Sequence, residues 1–129
     1  MAAQPDTKVE RDLLRLVYAS LAAPGLTDDD LQSIEASSAG RNRAAGLTGL
    51  LLHQGGSFFA LLEGPRRRLL ARMERIITDP RHRGVDILVE TTIRARRFES
   101  WSFGRLPGAA ASHTSAGDDF LRILGSRLK

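Results

Sequence analysis

The 129-residue sequence predicts an α+β sandwich with the element order βαββαββ. Three observations carry that reading. Two apolar runs, Leu47 to Leu52 and Phe58 to Leu62, flank Gln54-Gly55-Gly56 and read as a β-hairpin. Both arms are nearly all apolar, which predicts a hairpin in the middle of a sheet covered on both faces. A helix-like segment lies on either side of this hairpin, with strand-like segments beyond.

The elements follow in order. Residues 1–11 are polar and read as a loose lead-in. Leu13 to Ser20 alternates as a strand, with Leu14, Leu16 and Tyr18 on one face and Arg15, Val17 and Ala19 on the other. Pro24-Gly25 marks a turn. Thr27 is a good N-cap, and Asp28, Asp29 and Asp30 suit the positive end of a helix dipole. The helix is predicted from Asp28 to about Ala45. At 100° per residue, Leu31, Ile34, Ser38, Asn42 and Ala45 share one face. A stripe that begins with leucine and isoleucine and ends with a serine and an amide points to something polar beneath its second half. The other reading is that Gly40 frays the helix and leaves Asn42 as a late cap in solvent.

After the hairpin, Glu63-Gly64-Pro65 stops the strand and opens a second helix with proline at its first turn. Leu69, Leu70, Met73, Ile76 and Ile77 are its predicted apolar face, and Arg67, Arg68, Arg72 and Arg75 mostly its outer cover. Pro80 ends it, and Arg81 to Gly84 forms a turn. Val85 to about Ile93 is a fourth strand and Trp101 to Leu106 a fifth. Pro107 to Gly117 reads as a linker, and Asp118 to Leu128 as a final helix. The whole is a ferredoxin-like sandwich: a five-stranded mixed sheet, two helices on one face and a C-terminal helix on the other. The division is a lead-in over 1–11, a domain over 12–107, and linker and helix over 108–129.

Composition narrows the function. With no cysteine, disulfide scaffolds and thiolate metal sites are excluded, and His53, His82 and His113 have no ligand spacing, so no metal site is expected. The apolar runs are too short to span a bilayer, and the N-terminus has no signal-peptide core, so a cytoplasmic protein is expected. Net charge is +4, with arginine dense at 66–68 and at 94, 96 and 97. Acids are interspersed and no aromatic-rich basic strand is present, so a solvated face is favoured over a nucleic-acid footprint. There is no phosphate-binding glycine loop, no nucleophile elbow and no convincing acid/base pair of carboxylates, so no enzyme is expected. A small enzyme on this sandwich, such as an acylphosphatase, would need an anion-cradling loop near the first strand, and none is evident.

What remains is a set of inward polar groups: Tyr18 from strand one, Ser38 and Asn42 from helix one. A pocket between the helices, floored by the sheet, would hold a flat apolar ligand with a polar edge. Taken singly, Tyr18 and Trp101 read more readily as core side chains than as ligand contacts.

The chain resembles the BLUF domains, sensors of blue light using FAD, over about Leu13 to Leu106. The resemblance is carried by Leu16-Val17-Tyr18-Ala19-Ser20, by Arg41-Asn42 with Gly46-Leu47-Thr48-Gly49-Leu50-Leu51, and by Phe58 through Leu61-Leu62-Glu63-Gly64-Pro65. Asp79-Pro80-Arg81-His82-Arg83-Gly84-Val85 and Arg96-Arg97-Phe98 through Trp101-Ser102-Phe103-Gly104 complete it. It implies a flavin, FAD or else FMN or riboflavin, with its ring between the helices. It also implies that Tyr18 supplies an electron and a proton to the excited ring, and that Asn42, with Ser38 beside it, holds the ring's polar edge. Arg81 and His82 match the basic pair near the ribityl-phosphate end, and Trp101 the tryptophan whose environment changes on illumination.

Two departures matter. Ala60 stands where the family has the glutamine that lies between tyrosine and flavin; alanine has no donor, acceptor or rotor, so the usual hydrogen-bond switch should be absent. Phe103 stands where a methionine is common. The expected function is a flavin-binding light sensor with an impaired photocycle, signalling by contact with a downstream protein and forming a homodimer or larger oligomer. The alternative is a BLUF-like interaction module that has lost its flavin, and the colour of the protein separates the two.

Overall fold

The computed structural model of the chain describes residues 12–106. Seven elements follow one another: β1 (Leu13–Ala22), α1 (Asp28–Ala44), β2 (Thr48–Gln54), β3 (Ser57–Pro65), α2 (Arg66–Ile77), β4 (His82–Ile93) and β5 (Trp101–Leu106). The order is βαββαββ, as expected. The lead-in over 1–11 and the linker and helix over 108–129 lie outside the described residues.

The five strands form one sheet in the order β4-β1-β3-β2-β5. β1 runs antiparallel to β3 and β4, β2 antiparallel to β3, and β5 parallel to β2, so the sheet is mixed. Both hairpin strands are therefore interior, which is where two nearly continuous apolar runs belong. The pleat sorts the side chains by face. Leu14, Leu16, Tyr18, Leu51, Ala60 and Leu62 join Leu31 and Ile34 of α1 and Leu69, Met73 and Ile76 of α2 in one core. Val17, Leu50, Leu52 and Leu61 form a second cluster, with Phe59, Val89 and Phe98 against it.

Thr27 caps α1 with a complete capping box: its hydroxyl accepts from Asp30 N–H at 3.2 Å, and the Asp30 carboxylate accepts from Thr27 N–H at 2.9 Å. Gly40 does not fray the helix, which continues to Ala44 and leaves Asn42 only 1% exposed. The reading of Asn42 as a solvated cap is therefore overturned.

Three expectations are corrected. β1 extends to Ala22, and Leu21 and Ala22 pair with Arg83 and His82, so β4 begins at His82 rather than Val85. Two register shifts along this ladder absorb the extra residues. In α2, Leu69, Met73 and Ile76 are buried, but Leu70 and Ile77 lie one step round the helix and are exposed. Arg72 is not an outer cover; its guanidinium turns toward α1 and bonds Asn42.

On the sheet's other face, Arg15 and Glu63 lie opposite each other on β1 and β3. Arg15 Nε and Nη2 each stand 2.7 Å from Glu63 Oε2. Glu63 Oε1 accepts from the backbone N–H groups of Arg97 at 2.7 Å and Phe98 at 3.0 Å. Arg96 Nη1 donates to Thr48 Oγ1 at 2.9 Å. Arginines 96 and 97, expected on a solvated face, thus pin the segment that leads into β5. Gly49 of β2 has φ +137°, and a Cβ there would lie 1.9 Å from the Leu61 carbonyl oxygen, so only glycine lets the two hairpin arms approach this closely.

Candidate functional site

Between α1, α2 and the helix face of the sheet lies a cleft, open at its mouth; about 480 Å³ of space free of protein atoms is found there, open solvent included. Its floor is apolar, from Leu51, Phe58 and Leu62 of the hairpin, and Ile34 and Ile76 add apolar walls. Tyr18, Ser38, Asn42, Arg72, Asp79, Arg81, His82 and Trp101 supply its polar groups. Apolar walls with a few convergent polar groups are the ordinary make-up of a small-molecule site.

β1 carries Tyr18 to the middle of the floor. The phenol makes no hydrogen bond among the described residues. Burial pushes its pKa well above the ordinary tyrosine range, the nearby Arg72 charge pulls it back, and Asp79 pushes it further up. At neutral pH the hydroxyl therefore keeps its proton and is free to donate it to a guest.

The i, i+4 spacing of α1 puts Ser38 and Asn42 on the face that meets the cleft. Arg72 Nε donates to Asn42 Oδ1 at 2.9 Å. Because a guanidinium has only donors, this bond assigns the amide oxygen to Arg72 and leaves the NH₂ as the free end. Arg72 is itself held below the usual arginine range, first by partial burial and then by the neighbouring Arg41 charge.

The turn after α2 places Asp79, Arg81 and His82 at the same cleft. Asp79 takes a forked contact from Arg81, with Nη2 to Oδ2 at 2.6 Å and Nε to Oδ1 at 2.9 Å. These bonds from Arg81 hold the Asp79 carboxyl below the ordinary range, and the same pairing raises Arg81. His82 is committed at both ring nitrogens: Nε2 donates to the Ile76 carbonyl, and Nδ1 shares a hydrogen bond with Ser20 Oγ at 2.7 Å. Its ring stands 6.1 Å from that of Tyr18 and edge-on to Phe58 at 6.2 Å.

Trp101 opens β5 opposite Gly49 and faces the cleft. Its indole Nε1–H is buried and has no partner among the described residues. Ala60 lies between Tyr18 and Leu51 in the ladder, fully enclosed, just behind the cleft floor. Phe103 pairs with Leu51 and packs into the same layer without lining the cleft. The fold thus brings Tyr18, Ser38, Asn42, Arg81, His82 and Trp101 to one cavity, with Ala60 and Phe103 in the layer that supports it.

A family model described as sensors of blue-light using FAD (BLUF) matches residues 13–104. The chain belongs to the BLUF family. It is 35% identical over 112 residues to the photoactivated adenylate cyclase subunit alpha-like protein FB of Euglena gracilis, which covers 87% of this chain and 10% of that protein. It is 41% identical over 58 residues to the blue light- and temperature-regulated antirepressor BluF of Escherichia coli (strain K12), covering 45% of this chain and 14% of that protein. Among solved structures, the dark state of the BLUF protein BlrB is similar with a TM-score of 0.69 at 33% identity, over 76% of this chain and 74% of that one. The chain spans about a tenth of the length of the curated relatives it matches.

Two polar residues of this BLUF cleft, Arg72 and Asp79, escaped sequence reasoning. Arg72 is one of several arginines on α2, and helical spacing alone does not single it out. Asp79 reads as part of a helix stop. The one available signal was the step from Arg72 to Ile76 to Asp79, which follows one helix face to the cleft.

Proposed function

We propose that this chain binds a flavin in the cleft and works as a blue-light sensor domain whose hydrogen-bond switch is impaired at Ala60. The single observation that supports this best is a buried Trp101 indole N–H that has no partner among the described residues, in a cleft that Tyr18 also lines and with Ala60 fully enclosed in the same sheet layer. Donors buried without acceptors are costly, so an acceptor-bearing guest fits this cavity better than none. The apolar floor and the free Asn42 NH₂ suit a flat ring with a polar edge.

A bound flavin supplies blue-light absorption and an electron acceptor. The chain supplies the rest. Tyr18, held as a neutral phenol, serves as the electron and proton donor. Asn42, with Ser38 on the same helix face, holds the ring's polar edge. Arg81 sits toward the ribityl-phosphate end, while His82, with both ring nitrogens committed inside the protein, acts as a wall that fixes Tyr18. Trp101 has no amide to exchange hydrogen bonds with, because Ala60 ends at a methyl. Phe103, beside Leu51, replaces a flexible thioether with a rigid ring on the way to β5. FAD is the expected flavin, and FMN or riboflavin would present the same ring. Output goes by protein contact, in keeping with relatives named as light-regulated cyclases and an antirepressor.

The test is an absorption spectrum of the purified chain with FAD, in the dark, under blue light and during recovery. The expected result is a yellow protein with no persistent red shift, and an Ala60→Gln variant that gains one. A normal persistent red shift in the unaltered chain refutes the impairment. A protein that stays colourless after incubation with FAD refutes flavin binding and leaves an interaction module.

A further inference from the structure

The side-chain nitrogens left without a partner around the cleft are all donors, while the Tyr18 and Ser38 hydroxyls can donate or accept. Arg72 takes the Asn42 carbonyl, which turns that amide's NH₂ outward as a donor. The terminal N–H groups of Arg72 have no partner among the described residues. Trp101 adds a buried indole N–H that likewise has no partner among the described residues. Asp79, the one carboxylate among the described residues that line the cleft, is already forked onto Arg81. A guest edge that brings its own N–H to this place meets donors, whereas an edge made only of acceptors meets complements.

We propose that Arg72 is the specificity-determining residue of the cleft: by locking Asn42 as a donor and adding its own N–H groups and charge, it favours the imide-deprotonated form of a bound flavin over the neutral form. The inference rests on the flavin-binding reading above. The proton released goes to solvent, and the negative charge left on the ring's imide is shared with its two flanking carbonyl oxygens. Other charged and titratable groups around this place are few. Tyr18 comes from β1, Arg41 from α1, and Asp79, Arg81 and His82 from the turn into β4. Arg41 and Arg72 add positive charge, Asp79 and Arg81 cancel, His82 is internally bonded, and Tyr18 holds its proton. The balance of charge around the Asn42 amide and Arg72 is cationic, and an opposite charge within a few ångströms of a titrating group shifts its titration by about 1–3 units.

The experiment loads the full chain with riboflavin and follows the bound ring's absorption as pH is raised, beside free riboflavin. Deprotonation of the imide changes that absorption. The wild type is expected to lose the imide proton about one pH unit or more below free riboflavin. Arg72→Met is expected to move the midpoint up to that of free riboflavin or higher. Arg72→Gln, which keeps a polar side chain without the charge, should also raise it and serves if the methionine variant does not fold. A structural role alone would lower affinity or melting temperature without moving the midpoint. A wild-type midpoint at or above that of free riboflavin overturns the inference, as does a midpoint unchanged in Arg72→Gln. A chain that retains no riboflavin at any pH overturns the flavin-binding reading itself, which the missing colour distinguishes from the other outcomes.

Discussion

Replacing Glu63 by glutamine is the sharpest test of what holds β5 in place. The Glu63 side chain is fully enclosed and meets four donors: Arg15 Nε and Nη2 at one oxygen, the N–H groups of Arg97 and Phe98 at the other. Glutamine keeps the shape but removes the charge and puts an NH₂ where an oxygen was. If the NH₂ faces Arg15, a guanidinium only 7% exposed loses its counter-ion. Breaking a buried pair in this way costs about 3–5 kcal/mol. If it faces the loop instead, two backbone bonds to a charged acceptor are lost, at about 1.5–3 kcal/mol each. The two orientations together bracket a loss of about 3–6 kcal/mol, which for a domain of this size lowers the melting temperature by roughly 10–25 °C. Urea unfolding followed by circular dichroism measures it. Adding Arg15→Met to Glu63→Gln removes the stranded cation and should recover part of the loss, because the remaining amide can turn its oxygen to the loop. A single-variant loss under about 1 kcal/mol, or a double variant no better than the single, would refute the clamp.

Other expectations follow from the same structure. Asn42→Ala strips a buried acceptor from Arg72 and should cost about 1–3 kcal/mol in urea while weakening riboflavin binding roughly tenfold or more in an equilibrium titration. Gly49→Ala would drive its Cβ into the Leu61 carbonyl, so the variant should not yield a cooperative unfolding transition by circular dichroism. Asp79 has a folded pKa below its unfolded one, so the unfolded chain binds more protons in the acid range. Its contribution to stability is full above the ordinary carboxylate pKa and fades as pH falls through the folded value. Asp79→Asn should therefore flatten the acid limb of a stability–pH curve below about pH 4, with an unchanged limb counting against the Arg81 pairing.

Much of the fold was legible because local chemistry and packing agree in it. Thr27 and the three aspartates start α1, Pro65 precedes α2, and the two apolar arms can satisfy themselves only inside a sheet. The polar end of the Leu31–Asn42 stripe pointed to a cavity because a buried amide needs a partner. What escaped depends on contacts between distant segments. Arg72 reads like its exposed neighbours until α1 brings Asn42 within reach. Arg15 and Glu63 are forty-eight residues apart and become partners only through the register of β1 on β3. The start of β4 was placed late because Arg81-His82-Arg83-Gly84 carries turn residues, while the long β1 draws His82 and Arg83 into the ladder.

The sequence has one tyrosine and one tryptophan, and both line the same cleft. Near-ultraviolet emission from this protein is therefore a local signal, free of background from elsewhere in the chain. A planar guest beside Trp101 would quench that emission, and one beside Tyr18 would alter the short-wavelength component. Occupancy of the cleft can thus be followed in the unmodified protein, without a label.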